Sequence, residues 1–113
     1  MLNQRGDPMV TTPEQAIEYI KCSAIRYQLK CDVVNNDYRY VSGVSHAACI
    51  EAFSDLGYRA IDRVSESETQ GFMTTADRFV TREEAYQIAL QTGTLRYERA
   101  SCRLDSYQVQ YHQ

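Results

Sequence analysis

Residues 69–93 read TQGFMTTADRFVTREEAYQIALQTG, and the reading of this run decides what kind of fold the chain can adopt. It sets a turn, a short extended segment and a capped helix end to end. Gly71, within Gln70-Gly71-Phe72, permits a tight bend at the start. Asp77-Arg78-Phe79-Val80 then presents a guanidinium and an aromatic ring side by side. Thr81 is the predicted N-cap of a helix, and Glu84, at the third helical position, completes a capping box. Ala85, Ile88, Ala89 and Thr92 recur at helical spacing, and Gly93 stands where a helix-ending glycine belongs. A ring, an arginine and a helix N-terminus in succession suit a planar, phosphorylated ligand. The competing reading makes Phe72, Phe79 and Val80 core and leaves Arg78 and Arg82 in solvent.

Working back from this run, Glu66 and Glu68 form a polar loop, and residues 58–65 alternate Arg59, Ile61 and Arg63 against Ala60, Asp62 and Val64, which predicts a strand. Before it, Ser45 caps a helix over about 46–56 that buries Cys49, Ile50, Phe53 and Leu56 and stops at Gly57. His46 lies on the same apolar side, where a histidine is more often a packing residue than a catalyst. Residues 20–29 alternate Ile20, Cys22 and Ala24 against Lys21, Ser23, Ile25 and Tyr27, which predicts a strand; the alternative is a helix continuing from Pro13. Asn35-Asn36-Asp37 turns the chain, and Tyr38 to Val41 returns as the second strand of a hairpin. Thr12-Pro13-Glu14-Gln15 is a helix-start signature for one short turn to about Tyr19, and residues 1–11 read as a flexible arm. Beyond Gly93, a last strand is expected near 103–109 in a tail apolar enough to dock on the domain or on a partner. The order strand, strand, helix, strand, strand, helix predicts an α+β fold: one domain over 1–113, a small, mainly antiparallel sheet with two helices packed on one face.

The composition narrows the function. At 113 residues and 43% hydrophobic the chain can bury a core as one domain. No apolar run approaches a membrane span and the first residues lack a secretory h-region, so the expected location is the cytoplasm with no membrane partner. A net charge of −3 disfavours a nucleic acid polymer. Ten of the twelve basic residues are Arg, and nine Tyr and three Phe accompany them. Arginine offers a flat fork for phosphate and a face for rings, a vocabulary that serves nucleotide pockets and protein interfaces alike.

Catalytic motifs are missing from the sequence. It holds no G-x-S-x-G, H-E-x-x-H, G-x-x-x-x-G-K or dinucleotide glycine pattern, so the expectation is a binding protein with no cofactor and no enzyme activity. Cys49, three residues after His46, supplies half of a zinc set at best, and the same pair lacks a third group to orient a base. Glu51 and Asp55, one helical turn apart, read as a solvated flank. The four Cys are expected to be reduced, mostly buried thiols.

Four segments together resemble a known family. They are Ala24-Ile25-Arg26, Gly43-Val44-Ser45-His46, the run Gln70 to Ala89, which matches Q-G-F-x-T-x-x-x-R-F-V-x-R-x-E-A-x-x-I-A, and Leu104-Asp105-Ser106-Tyr107. Across about 20–107 the chain resembles the Thoeris anti-defence type one family of phage proteins, the middle run being the specific part. The resemblance implies a sponge that binds cyclic ADP-ribose isomers made by bacterial TIR enzymes and holds them uncleaved in the host cytoplasm, with relatives that hold cyclic oligonucleotides of the CBASS system. It also implies dimers, or hexamers built from dimers, with ligand near the subunit contacts. Carried over by position, Arg26, His46, Phe72, Arg78, Phe79 and Arg82 are the implied ligand-binding residues, joined by Arg103 from the closing segment. Two departures bear on ligand choice: Ser45 stands where an arginine is expected, and the acidic closing segment has become Arg103-Leu104-Asp105. The other reading is a phage accessory protein that uses the same Arg and aromatic surface against a host protein.

Overall fold

A computed structural model describes residues 17–64 and 66–112. Four strands, β1 (Ile20–Tyr27), β2 (Arg39–Gly43), β3 (Thr69–Thr74) and β4 (Phe79–Thr81), form one antiparallel sheet in the order β2-β1-β3-β4. Helices α1 (His46–Asp55) and α2 (Arg82–Thr92) pack on one face of it, as the α+β expectation required. Tyr27 of β1 meets Phe53 of α1 edge-on at 4.7 Å between ring centroids, and Phe72 and Val80 join Ala85, Tyr86 and Ala89 of α2 in the main core.

Register explains which side chains face the helices. Ser23 pairs with Phe72, and Phe72 with Val80, so these three share the covered face. Strict alternation would send Ile20 to the opposite side with Cys22 and Ala24. A register shift between Ile20 and Cys22 turns Ile20 back into the core instead, where it is fully buried.

Both helices begin where the caps said. Ser45 accepts from the Ala48 amide at 3.1 Å, and Thr81 and Glu84 satisfy each other's backbone N–H in a capping box. Gly93, at φ 71°, closes α2. On α1 only Cys49 is buried; Phe53 is half-buried, whereas Ile50 and Leu56 are exposed, because the helix lies along the sheet edge and presents a narrow stripe to it.

Three expectations are corrected. The strand expected over 58–65 does not form in the described residues 58–64: Arg59 pairs with Asp62 at 2.9 Å, curling Ala60–Asp62 into a 3-10 turn, and a single bridge from Arg63 to Leu29 is what remains of pairing. With Arg59 and Arg63 on one side and Asp62 on the other, neither side of such a segment is apolar enough to bury. Gln70-Gly71-Phe72 is not a bend but the middle of β3. Gly71 is needed there because a Cβ would stand 2.2 Å from the Val80 carbonyl oxygen and 2.4 Å from Cζ of Phe79. Finally, 103–109 carries one bridge, Leu95 to Val109, around a turn closed by the Gln108 amide on the Asp105 carbonyl. The tail nonetheless docks, with Leu104 and Val109 buried in the core. The Asn35-Asn36-Asp37 turn holds, with Asn36 left-handed after a 3-10 turn over Lys30–Asn35. The predicted helix start at Thr12 and the arm over 1–11 lie outside the described residues, and 17–19 are not helical.

Candidate functional site

The first residues of α1 and α2 open into one cleft of about 320 Å³, lined by His46, Ala47, Gln70, Arg82, Asp105, Ser106 and Tyr107. The register brings this about: β2 leads directly into α1 and β4 into α2, and although the two strands run in opposite directions they end at nearly the same level of the sheet, Gly43 in line with Ser23, Phe72 and Val80, and Thr81 one pair further on beside Gly71. The caps satisfy the third N–H of each helix, Ala48 and Glu84. The preceding first-turn N–H groups have no intrahelical acceptor in any helix and carry the positive end of its dipole.

Arg82 is the fixed cation of the cleft. Its Nε donates to the Leu104 carbonyl at 2.9 Å, and its terminal nitrogen donates to Asp105. Only about a fifth of its side chain is exposed. His46 stands across from it, its ring edge-on to the fully buried Phe72 at 4.9 Å. Its Nε2–H donates to the Gly71 carbonyl at 2.8 Å, which in the neutral ring leaves Nδ1 as an acceptor. Burial holds the His46 pKa below the ordinary imidazole value, and the Arg82 charge lowers it further, against the Gly71 hydrogen bond and the Asp105 charge. The tail contributes an exposed ring, Tyr107, at the rim.

The implied binding residues do not all share this cleft. His46 and Arg82 line it, and Phe72 supports it from the core. Arg26 and Phe79 lie on the opposite, helix-free face of the sheet. There the Arg26 guanidinium sits 4.7 Å from the Tyr38 ring and 4.8 Å from the Phe79 ring, and Tyr40 approaches Phe79 at 5.8 Å. Arg26 Nε is buried there with no hydrogen-bond partner among the described residues. Arg78 is turned to Glu18, which it grips at 2.7 and 2.8 Å; Arg78 holds that carboxyl below the usual range. Arg103 pairs with Glu83 at 3.0 Å on the exposed flank of α2.

Residue-by-residue matching passed over Asp105, Tyr107, Tyr38 and Tyr40. For the first two the signal was present, since Leu104-Asp105-Ser106-Tyr107 was one of the four matching segments. For the tyrosines it was the i, i+2 spacing of Tyr38 and Tyr40, which places both rings on one side of a strand.

Residues 19–108 match the family model described as "Phage T4 y16D protein". The chain belongs to that family. The match spans both helices, all four strands and the tail as far as Gln108, so the cleft between the helix starts lies wholly within the y16D family region. No curated protein and no solved structure matches the chain. Among the described residues no helix is long and apolar enough to cross a membrane, and no group of three or more His, Cys, Asp or Glu side chains is placed to hold a metal. The thiols are not mostly buried, as the sequence suggested: Cys49 alone is buried, Cys22 is half-buried, and Cys31 and Cys102 are exposed because they lie in a 3-10 turn and in the loop after α2, outside the core. Burial pushes the Cys49 thiol up to about 11 and raises Cys22 for the same reason, so both stay protonated at neutral pH.

Proposed function

We propose that this y16D-family chain is a phage anti-defence protein that binds small cyclic nucleotides of the cyclic ADP-ribose type and sequesters them intact in the host cytoplasm. The observation that carries this reading is the convergence of two helix N-termini and Arg82 on one cleft of about 320 Å³. Helix N-termini and a partly buried guanidinium both favour phosphate oxygens, and the volume falls at the lower end of small-ligand sites. The Tyr107 ring beside them offers a face for a base.

The reading is of a binder rather than an enzyme. His46, the titratable ring in the cleft, has its Nε2–H committed to the Gly71 carbonyl and its pKa lowered by burial, which suits a fixed acceptor better than a proton shuttle. Resemblance to the Thoeris family adds two further proposals: assembly as a dimer or hexamer, and a ligand range extending to the cyclic oligonucleotides of CBASS signalling.

Calorimetry against a panel of cyclic ADP-ribose isomers and cyclic di- and trinucleotides tests this, followed by denaturation and analysis of what is released. Binding with intact ligand recovered is the expected outcome. A cleaved product would overturn the sponge, and silence across the panel would overturn nucleotide binding altogether.

One observation favours a second reading. On the helix-free face Tyr38 and Tyr40 are 40% and 48% exposed around Arg26 and Phe79, an Arg and Tyr grouping of the kind enriched in protein contacts. Under that reading this face binds a host protein, and pull-down from host lysate would be lost in a Tyr40→Ala variant with the cleft intact.

A further inference from the structure

Asp105 is the anomaly of the cleft, a carboxylate at the place best suited to an anion. It accepts from Arg82 on one oxygen and from Arg99 on the other, the latter at 2.8 Å. Its backbone is fixed: the Asp105 amide donates to Oε1 of the fully buried Gln108 at 2.9 Å, and the Gln108 amide returns a bond to the Asp105 carbonyl at 3.0 Å. Arg82 is fixed independently of Asp105, through its Nε on the Leu104 carbonyl. The Arg82 terminal nitrogen is therefore a donor that stays aimed into the cleft if the carboxylate rotates away, and that rotation needs no backbone movement.

We propose that the Asp105 side chain is a built-in competitor for the phosphate position of this cleft. In the free protein it occupies the Arg82 terminal nitrogen; an entering phosphate displaces it, and Asp105 remains paired with Arg99. Arg99 is half-exposed and lies over the Tyr97 ring, 5.7 Å from its centre, which gives the displaced carboxylate a cation outside the cleft. This inference rests on the cleft being a phosphate site, as the proposed function holds. It adds a selectivity: a singly charged or neutral ligand gains no more from Arg82 than Asp105 already supplies, whereas a doubly charged pyrophosphate does.

The test is calorimetry of the full chain with inorganic pyrophosphate, and with a cyclic ADP-ribose isomer in parallel. Asp105→Asn removes the competing charge and keeps an oxygen for Arg99, so pyrophosphate binding is expected to tighten about tenfold, the occupied fraction no longer being subtracted from the competent one. Arg99→Ala removes the alternative partner, leaves Asp105 to Arg82 alone, and is expected to weaken binding. Opposite signs in the two variants are the signature. If Asp105 and Arg99 merely shape the loop, both variants weaken binding, and that result overturns the proposal, as does pyrophosphate binding equally to wild type and Asp105→Asn or to neither. Should Asp105→Asn fail to fold, Asp105→Ser takes its place: tighter pyrophosphate binding is expected there, and unchanged or weaker binding contradicts the exchange. A gain for pyrophosphate with no cyclic ADP-ribose binding in any variant would retain the Asp105 exchange and reject the signal-sponge reading.

Discussion

Phe72 and Phe79 stand seven positions apart in the sequence and end on opposite faces of the same sheet. The ring of Phe72 is fully buried between the sheet and both helices, where it supports His46 and joins Ile20, Val80, Ala85 and Ala89. The ring of Phe79 lies across Gly71 on the helix-free face, between Arg26 and Tyr40. One face is a packed core with a polar cleft at its end; the other is an aromatic and cationic surface open to solvent. A hairpin sets the difference, since Phe72 pairs with Val80 and Phe79 with Met73, and neighbouring pairs in a sheet point to opposite sides. Proximity in sequence across a turn fixes register before it fixes side.

The largest expected effect lies on the covered face. Phe72→Ala opens a cavity with no solvent access and should cost about 3–5 kcal/mol in denaturant unfolding. Phe79→Ala should cost about 1 kcal/mol, on the scale of a partly exposed aromatic pair. Equal losses in the two variants would break the distinction between the faces.

Gly71→Ala comes next. Its Cβ would meet the Val80 carbonyl, which is backbone, as well as the Phe79 ring, which can rotate aside. A loss of about 1–3 kcal/mol is expected, the usual range for overpacking, and a urea midpoint equal to wild type would contradict the close strand approach. A smaller change, about 1 kcal/mol, should follow Thr81→Ala, which removes the capping oxygen at the start of α2. Because α2 begins at Arg82, that variant should also weaken nucleotide binding in calorimetry, while Phe79→Ala leaves it unchanged.

These elements were unequally legible in the sequence. Both helices were, because Ser45, Thr81, Glu84 and Gly93 write their ends locally, and β1 paired with β2 followed from alternation around the Asn36 turn. The strand expected over 58–65 is missing from 58–64 because charge falls on both sides of the alternation, Arg59 and Arg63 against Asp62, and leaves no apolar side whose burial would hold it extended. Gly71 was visible as a special position, but its cause is a neighbouring strand rather than a bend. The β1 irregularity that returns Ile20 to the core has no local signature at all. The candidate cleft was half-legible: His46 and Arg82 were singled out by resemblance and share it, while Asp105 enters it from a tail whose path depends on burying Leu104 and Val109. Arg26, Arg78, Phe79 and Arg103 have the right chemistry and the wrong position for that cleft, because residue type does not encode side.

The smallest effect is a pH dependence carried on the covered face by His46. Burial lowers the His46 pKa, so below about 6.5, the ordinary imidazole value, the unfolded chain binds a proton that the folded chain resists. The stability associated with neutral His46 is present above that value and lost as pH falls through the window beneath it. Glu18, also lowered, titrates further down, in the carboxylate range, and its contribution is likewise lost as pH falls. Urea midpoints at about pH 7.5 and about pH 5.5 should fall in wild type and fall less in His46→Asn. An equal fall in both would assign the effect elsewhere.

Amide chemical-shift mapping during titration with a cyclic ADP-ribose isomer tests the central claim most directly, because it reports which face the ligand chooses. Largest shifts at Ala47, Arg82, Ser106 and Tyr107, around the two helix starts, are the predicted result. Shifts centred on Tyr38, Tyr40 and Phe79, or none at all, would contradict the cleft as the binding site.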